Sequence, residues 1–196
     1  PTANSGDATI DAAEARHFGD LAADWWNPRG SSAMLHRLNP VRLRYIREQV
    51  DAHWRGDARA LRPLSERMVL DVGCGAGLLC EPLARLGGTV TGVDAAPENI
   101  AAACDHAAGQ GLAITYHAGE LATLAPGQFD LVTAMEVIEH VVDPATFLTQ
   151  LAARLAPGGL LILSTPNRTL ASRLLLVEGA ERVGAVPRGT HDWDKF

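Results

Sequence analysis

Two rhythms of apolar residues alternate along the chain. Between Asp11 and Trp26 the spacing is helical, with Ala15, Phe18, Leu21, Ala22 and Trp25 near one face. Pro28, Gly30, Ser31 and Ser32 break that pattern. It resumes after Pro40, with Leu43, Ile46 and Val50 on one side. From Met68 onward the rhythm shortens. Met68–Val72 and Thr89–Val93 are short runs rich in β-branched residues and predict strands; the first ends in a glycine-rich turn, the second at Asp94. Ala113–His117 predicts a weaker strand, and Phe129–Thr133 and Leu160–Ser164 two more. Helical stretches over 77–86, 97–109 and 144–155 separate them, and Gly158-Gly159 reads as the stop signal of the last helix.

Strands alternating with helices imply βαβ crossovers. The predicted class is α/β: a doubly wound, mostly parallel, Rossmann-like sheet with helices on both faces and an N-terminal helical extension. A chain of 196 residues suits one domain. Its parts are the helical extension over 1–60, the α/β core over 61–167 and a distinct segment over 168–196. Residues 1–9 are small and polar and read as a disordered tail. In the last segment Leu170, Leu174, Leu175, Leu176 and Val177 are interrupted by Arg168, Arg173 and Arg182. The text stops at Phe196, before further strands that such folds usually carry, so it reads as part of a longer polypeptide.

Composition narrows the class. Apolar residues at 47% and charged residues at 20% describe a soluble globular protein. A net charge of -6 without a basic run argues against nucleic-acid binding. Cys74, Cys80 and Cys104 lack CxxC spacing and read as reduced thiols. With no leader-like or 18-residue apolar stretch, the expected location is cytoplasmic.

Chemistry concentrates in Val69-Leu-Asp-Val-Gly73-Cys-Gly75-Ala-Gly77. Glycines let a backbone approach a ligand closely, and a helix N-terminus beyond them offers unpaired N–H groups. Asp94, ending the next strand, is placed to accept the ribose hydroxyls of an adenosine. The dinucleotide fingerprint is GxGxxG, but here the spacing is GxGxG and Leu78 holds the sixth position. Asp71 before the loop disfavours a pyrophosphate and suits a cationic ligand such as the aminoacyl end of S-adenosylmethionine. Farther on, Glu136, Glu139 and His140 lie at i, i+3 and i+4, one face of a helical turn. Such a set can hold a divalent ion such as Mg²⁺, can use the histidine as a general base, or can simply cap the turn.

The glycine loop and Asp94 resemble the class I methyltransferases. Further residues are similar to the ubiquinone-biosynthesis O-methyltransferases: Trp25-Trp26, Leu35-His-Arg-Leu-Asn-Pro-Val-Arg42, Met135-Glu-Val-Ile-Glu-His140, Ser164-Thr-Pro-Asn-Arg168 and Arg188-Gly-Thr-His-Asp192. The resemblance runs from about residue 14 to the end. It implies cofactor contacts at Arg42, Gly73, Asp94 and Met135, with Asp71 and Gly75 beside them. It supports the Mg²⁺ set of Glu136, Glu139 and His140, and the expected catalytic residues are His140 and Glu139. The implied substrate is a polyprenylated catechol. A partner of that kind brings an expected peripheral contact with anionic membrane on its inner face, through residues 170–187, and membership of a ubiquinone-biosynthesis complex. The alternatives are a methyltransferase for another small molecule, a nicotinamide-dependent oxidoreductase on a similar sheet, and a non-catalytic binding protein.

Overall fold

The computed structural model describes residues 12–165. Helix α1 (Ala12–Gly19) leads through a 3₁₀ turn at Ala22–Asp24 to the long α2 (Ala33–Trp54). The core then alternates: β1 (Met68–Val72), α3 (Cys80–Arg85), β2 (Thr89–Asp94), α4 (Pro97–Gly109), β3 (Thr115–Ala118), β4 (Phe129–Met135), α5 (Pro144–Ala153) and β5 (Leu155–Ser164). Strand order is β3-β2-β1-β4-β5, and every pairing is parallel. The chain leaves β3 at one edge and re-enters at β4 beside β1. The order therefore reverses between β1 and β4, and the carboxyl ends of those two strands flank the crevice where such sheets take ligands.

Strand alternation divides the core in two. Val69, Val90, Leu131 and Ile162 face Ile46 and Val50 of α2, Cys80 and Leu83 of α3 and Ile100 of α4. Leu70, Val72, Val93, Val132 and Ala134 face the other way, toward Phe147 and Leu151 of α5 and Leu121 and Leu124 below β3. Helices thus cover both faces, as expected. Asp71 shares the first face and is 2% exposed.

Some predicted boundaries shift for local reasons. The first helix stops at Gly19, short of Trp26. Helix α2 begins ahead of Pro40 and runs through it, because Ile46 and Val50 anchor its apolar face while Asn39 is bonded to the loop after β1. Helix α3 starts at Cys80, since Gly77 at φ +85° cannot open a helical turn. Gly158-Gly159 is not a helix stop: α5 ends at Ala153 and the pair lies inside β5, where the register slips between Phe129 and Leu131. A Cβ at Gly159 would come within 2.9–3.1 Å of the carbonyl oxygens of Ala156, Asp130 and Phe129. No described helix is long and apolar enough to cross a membrane.

Phe147 is 1% exposed and joins α5 to β4. Phe147→Ala should lower stability by about 3–5 kcal/mol, read as a fall in the urea midpoint.

Candidate active site

The loop after β1 is built on glycines at φ +68° (Gly73), +52° (Gly75) and +85° (Gly77), which a side chain resists. Its start is fastened to β2: Gly73 and Cys74 donate their N–H groups to the Val93 carbonyl at 2.8 and 3.1 Å. Its crest is fastened to Asp94, whose Oδ2 accepts the Gly75 N–H at 2.8 Å. The other oxygen accepts from the Ala96 N–H at 2.9 Å and from Asn99 Nδ2 at 3.1 Å. Burial raises the Asp94 pKa, and these donors pull it back. A carboxylate offers about four lone-pair sites, and three donors from this chain already occupy Asp94.

The N-terminal extension closes over this loop. The Trp26 indole N–H donates to the Ala76 carbonyl at 3.1 Å, and Asn39 Nδ2 donates to the Leu78 carbonyl at 2.7 Å. The Trp25 ring lies against Gly75, where any Cβ would collide with it. Sequence reasoning quoted Trp25, Trp26 and Asn39 without giving them a task. The signal was there: two adjacent indoles beside a helix that carries a polar residue on its packed side.

Asp71 lies near the carboxyl end of β1, within electrostatic reach of Arg42. One Asp71 oxygen accepts from Thr133 Oγ1 at 2.7 Å and the other from Cys80 Sγ at 3.3 Å. Burial pushes its pKa up to about 6, while Thr133, Cys80 and the Arg42 charge act against that rise. Arg42, carried by α2, is ion-paired with Glu136; burial lowers its pKa, and the charges of Asp71 and Glu139 act against that.

Glu136, Glu139 and His140 depart from the predicted helical face. Glu136 is at φ +53° and precedes the 3₁₀ turn Ile138–His140. Its carboxylate takes the Arg42 pair and the Ser164 hydroxyl at 2.7 Å. Glu139 is 5% exposed. Neither of its oxygens makes a full hydrogen bond among the described residues. Burial pushes it up to about 7, and its own backbone N–H, Thr165 and Arg42 draw it partly back. The His140 ring meets Phe18 edge-on at 5.1 Å. Among the described residues no group of three such side chains gathers closely enough to hold a metal ion, so as arranged these donors do not fit Mg²⁺. Met135 is the last residue of β4, and its sulfur lies 3.3 Å from Ser164 Oγ, whose proton goes to Glu136. The segment 168–196, with its candidate membrane residues, lies outside the described residues, as does the tail over 1–9.

A parallel sheet with this strand order, a GxGxG loop and an acid opposite it defines a class, the S-adenosylmethionine-dependent methyltransferases. A methyltransferase-domain family model matches residues 42–193. In structure the chain is similar to magnesium protoporphyrin IX methyltransferase from Synechocystis. That likeness has a TM-score of 0.61 and 25% identity, and covers 92% of this chain and 82% of the other. Ubiquinone biosynthesis O-methyltransferases are nearer. That of Parvibaculum lavamentivorans is 49% identical over 96% of this chain and 76% of its own length. That of Bradyrhizobium diazoefficiens is 51% identical with the same coverage. The chain belongs to the ubiquinone biosynthesis O-methyltransferase family, and the nicotinamide alternative falls with that membership.

The buried acids set a pH dependence of stability. Folded Asp71, at about 6 against 3.8 when exposed, binds a proton more tightly than the unfolded chain does. Its charging therefore destabilises the fold as pH rises from 3.8 to about 6. Asp71→Asn removes this effect. Its urea stability should exceed wild type by about 1–3 kcal/mol at pH 7 and converge with it near pH 4.

Proposed function

We propose that this chain transfers the methyl group of S-adenosylmethionine to a hydroxyl of a polyprenylated catechol in ubiquinone biosynthesis. The observation that carries the substrate class is the 49–51% identity, across 96% of the chain, to enzymes of that name. In this reading Asp94 takes the ribose, the backbone of Gly73 and Gly75 borders the cofactor, and Met135 packs on the adenine. Arg42 meets the cofactor carboxylate as well as Glu136, and Asp71 supplies negative charge toward the cofactor's ammonium group.

The reaction is an in-line displacement. The phenol oxygen forms a bond to the methyl carbon as the S–CH₃ bond breaks, and that bond's electron pair stays on sulfur. S-adenosylhomocysteine leaves, and the phenol proton must go to a base. Glu139 supports that role, with a buried carboxyl at about 7 beside the end of β4. His140 adjoins it in the same turn. Positioning supplies much of the rate, and a base of this kind contributes roughly 10²–10⁴-fold.

Glu139→Gln should lower kcat about 100-fold or more with little change in affinity for S-adenosylhomocysteine. In wild type kcat should rise with pH through about 7, as Glu139 loses its proton, and that limb should vanish in the variant. An unchanged pH profile removes Glu139 as the base. Turnover lost in chelator and restored by Mg²⁺ would transfer activation of the phenol to a metal at Glu136, Glu139 and His140.

A polyprenyl tail partitions into lipid, so the proposal extends to a peripheral contact with anionic membrane through residues 170–187. Liposome flotation tests it. Binding should require anionic lipid, weaken with salt, and fall when Leu174 and Leu175 become serine.

A further inference from the structure

Two adjacent tryptophans meet the glycine loop, and the structure treats them differently. Trp26 is fully matched. Its N–H reaches the Ala76 carbonyl, and its ring stacks on His106 of α4, with centroids 3.4 Å apart and planes within 5°. His106 Nδ1 lies 2.5 Å from Oε1 of Glu81, a residue of α3 that is 1% exposed. Trp26 thus clasps the loop crest to two helices, a structural duty that uses its whole side chain.

Trp25 is held as firmly but left unfinished. Its carbonyl meets His36 Nε2 at 2.8 Å, which fixes the backbone. Its six-membered ring edge lies against Gly75, the residue whose N–H holds Asp94. Yet its indole Nε1 is buried and has no acceptor among the described residues. A buried donor without a partner is costly, and such groups are rare enough to require a reason. Phenylalanine at 25 would remove that cost, though its shorter ring would give up part of the contact with Gly75. The indole N–H has a use only if an acceptor arrives.

We infer that Trp25 is a cofactor-binding residue whose indole N–H donates to an oxygen of bound S-adenosylmethionine. The inference rests on the cofactor assignment above. Its ring lies on Gly75, the residue that Asp94 holds, and the cofactor offers two kinds of acceptor there, the ribose hydroxyls and the amino-acid carboxylate. The ring and the Trp26 clasp hold the donor in place before the ligand binds, so little order is lost on binding.

Trp25→Phe removes the N–H and keeps an aromatic ring. Calorimetry with S-adenosylhomocysteine should show affinity weakened about 10-fold, or more if the acceptor is the carboxylate. Without ligand, the variant gives up part of the Gly75 contact and sheds the unmatched donor, two opposing effects, so its melting temperature should stay near that of wild type. These two readouts distinguish a ligand contact from a packing role, in which affinity and stability fall together. Trp26→Phe provides the contrast: it should lower ligand-free stability through loss of the Ala76 bond. Methylthioadenosine, which lacks the amino-acid portion, identifies the acceptor. An equal loss for both ligands assigns the ribose, and a loss for S-adenosylhomocysteine alone assigns the carboxylate. Unchanged S-adenosylhomocysteine affinity in folded Trp25→Phe overturns the inference, as does weakening matched by a fall in ligand-free melting temperature. Failure of the wild-type protein to bind S-adenosylhomocysteine would overturn the cofactor assignment itself.

Discussion

The bond from the Gly75 N–H to Asp94 is the constraint around which this site is arranged. It joins the crest of the loop after β1 to the end of β2, and so fixes the loop against the crevice between β1 and β4. Positive φ at Gly73, Gly75 and Gly77 lets the backbone make that reach. The same conformation delays α3 until Cys80 and leaves the loop crest exposed to whatever lies above it. The N-terminal extension fills that space. Trp26 and Asn39 each bond a loop carbonyl, so a segment that the sequence sets apart becomes part of the cover over the glycine loop.

How far the sequence could be read follows from the range of each interaction. Strands β1 and β2 were legible almost to the residue, since short β-branched runs ending in a glycine loop and an acid are local signals. Helix α2 was not, because Pro40 reads as a start when only neighbours are considered. What carries the helix through it is distant: Asn39 on Leu78, and Ile46 and Val50 against the sheet. The glycines at 158 and 159 misled for the same reason. Their need is set by carbonyl oxygens of Phe129 and Asp130, on the neighbouring strand.

The residues around the crevice were legible as a list but not as a set of pairings. Spacing put Glu136, Glu139 and His140 on one helical face, yet Glu136 takes a left-handed backbone angle and turns to Arg42 and Ser164. No local pattern gives that, because the arginine comes from α2, far back in the chain. In the proposed function Arg42 would meet both Glu136 and a ligand carboxylate, and the two would divide its five N–H donors.

In the proposed reaction two charges disappear together. A sulfonium cation becomes a neutral thioether, and the carboxylate that accepts the phenol proton becomes a neutral acid. Annihilating opposite charges is favoured most where water is excluded, since neither ion is well solvated at the start. Burial is also what pushes Glu139 up to about 7 and so makes it a better base for a phenol, whose ordinary pKa is about 10. The two effects have one cause. Exposing Glu139 to solvent would lower its basicity and shield the charges it helps to cancel. The cover over the crevice therefore acts on the chemistry as well as on binding.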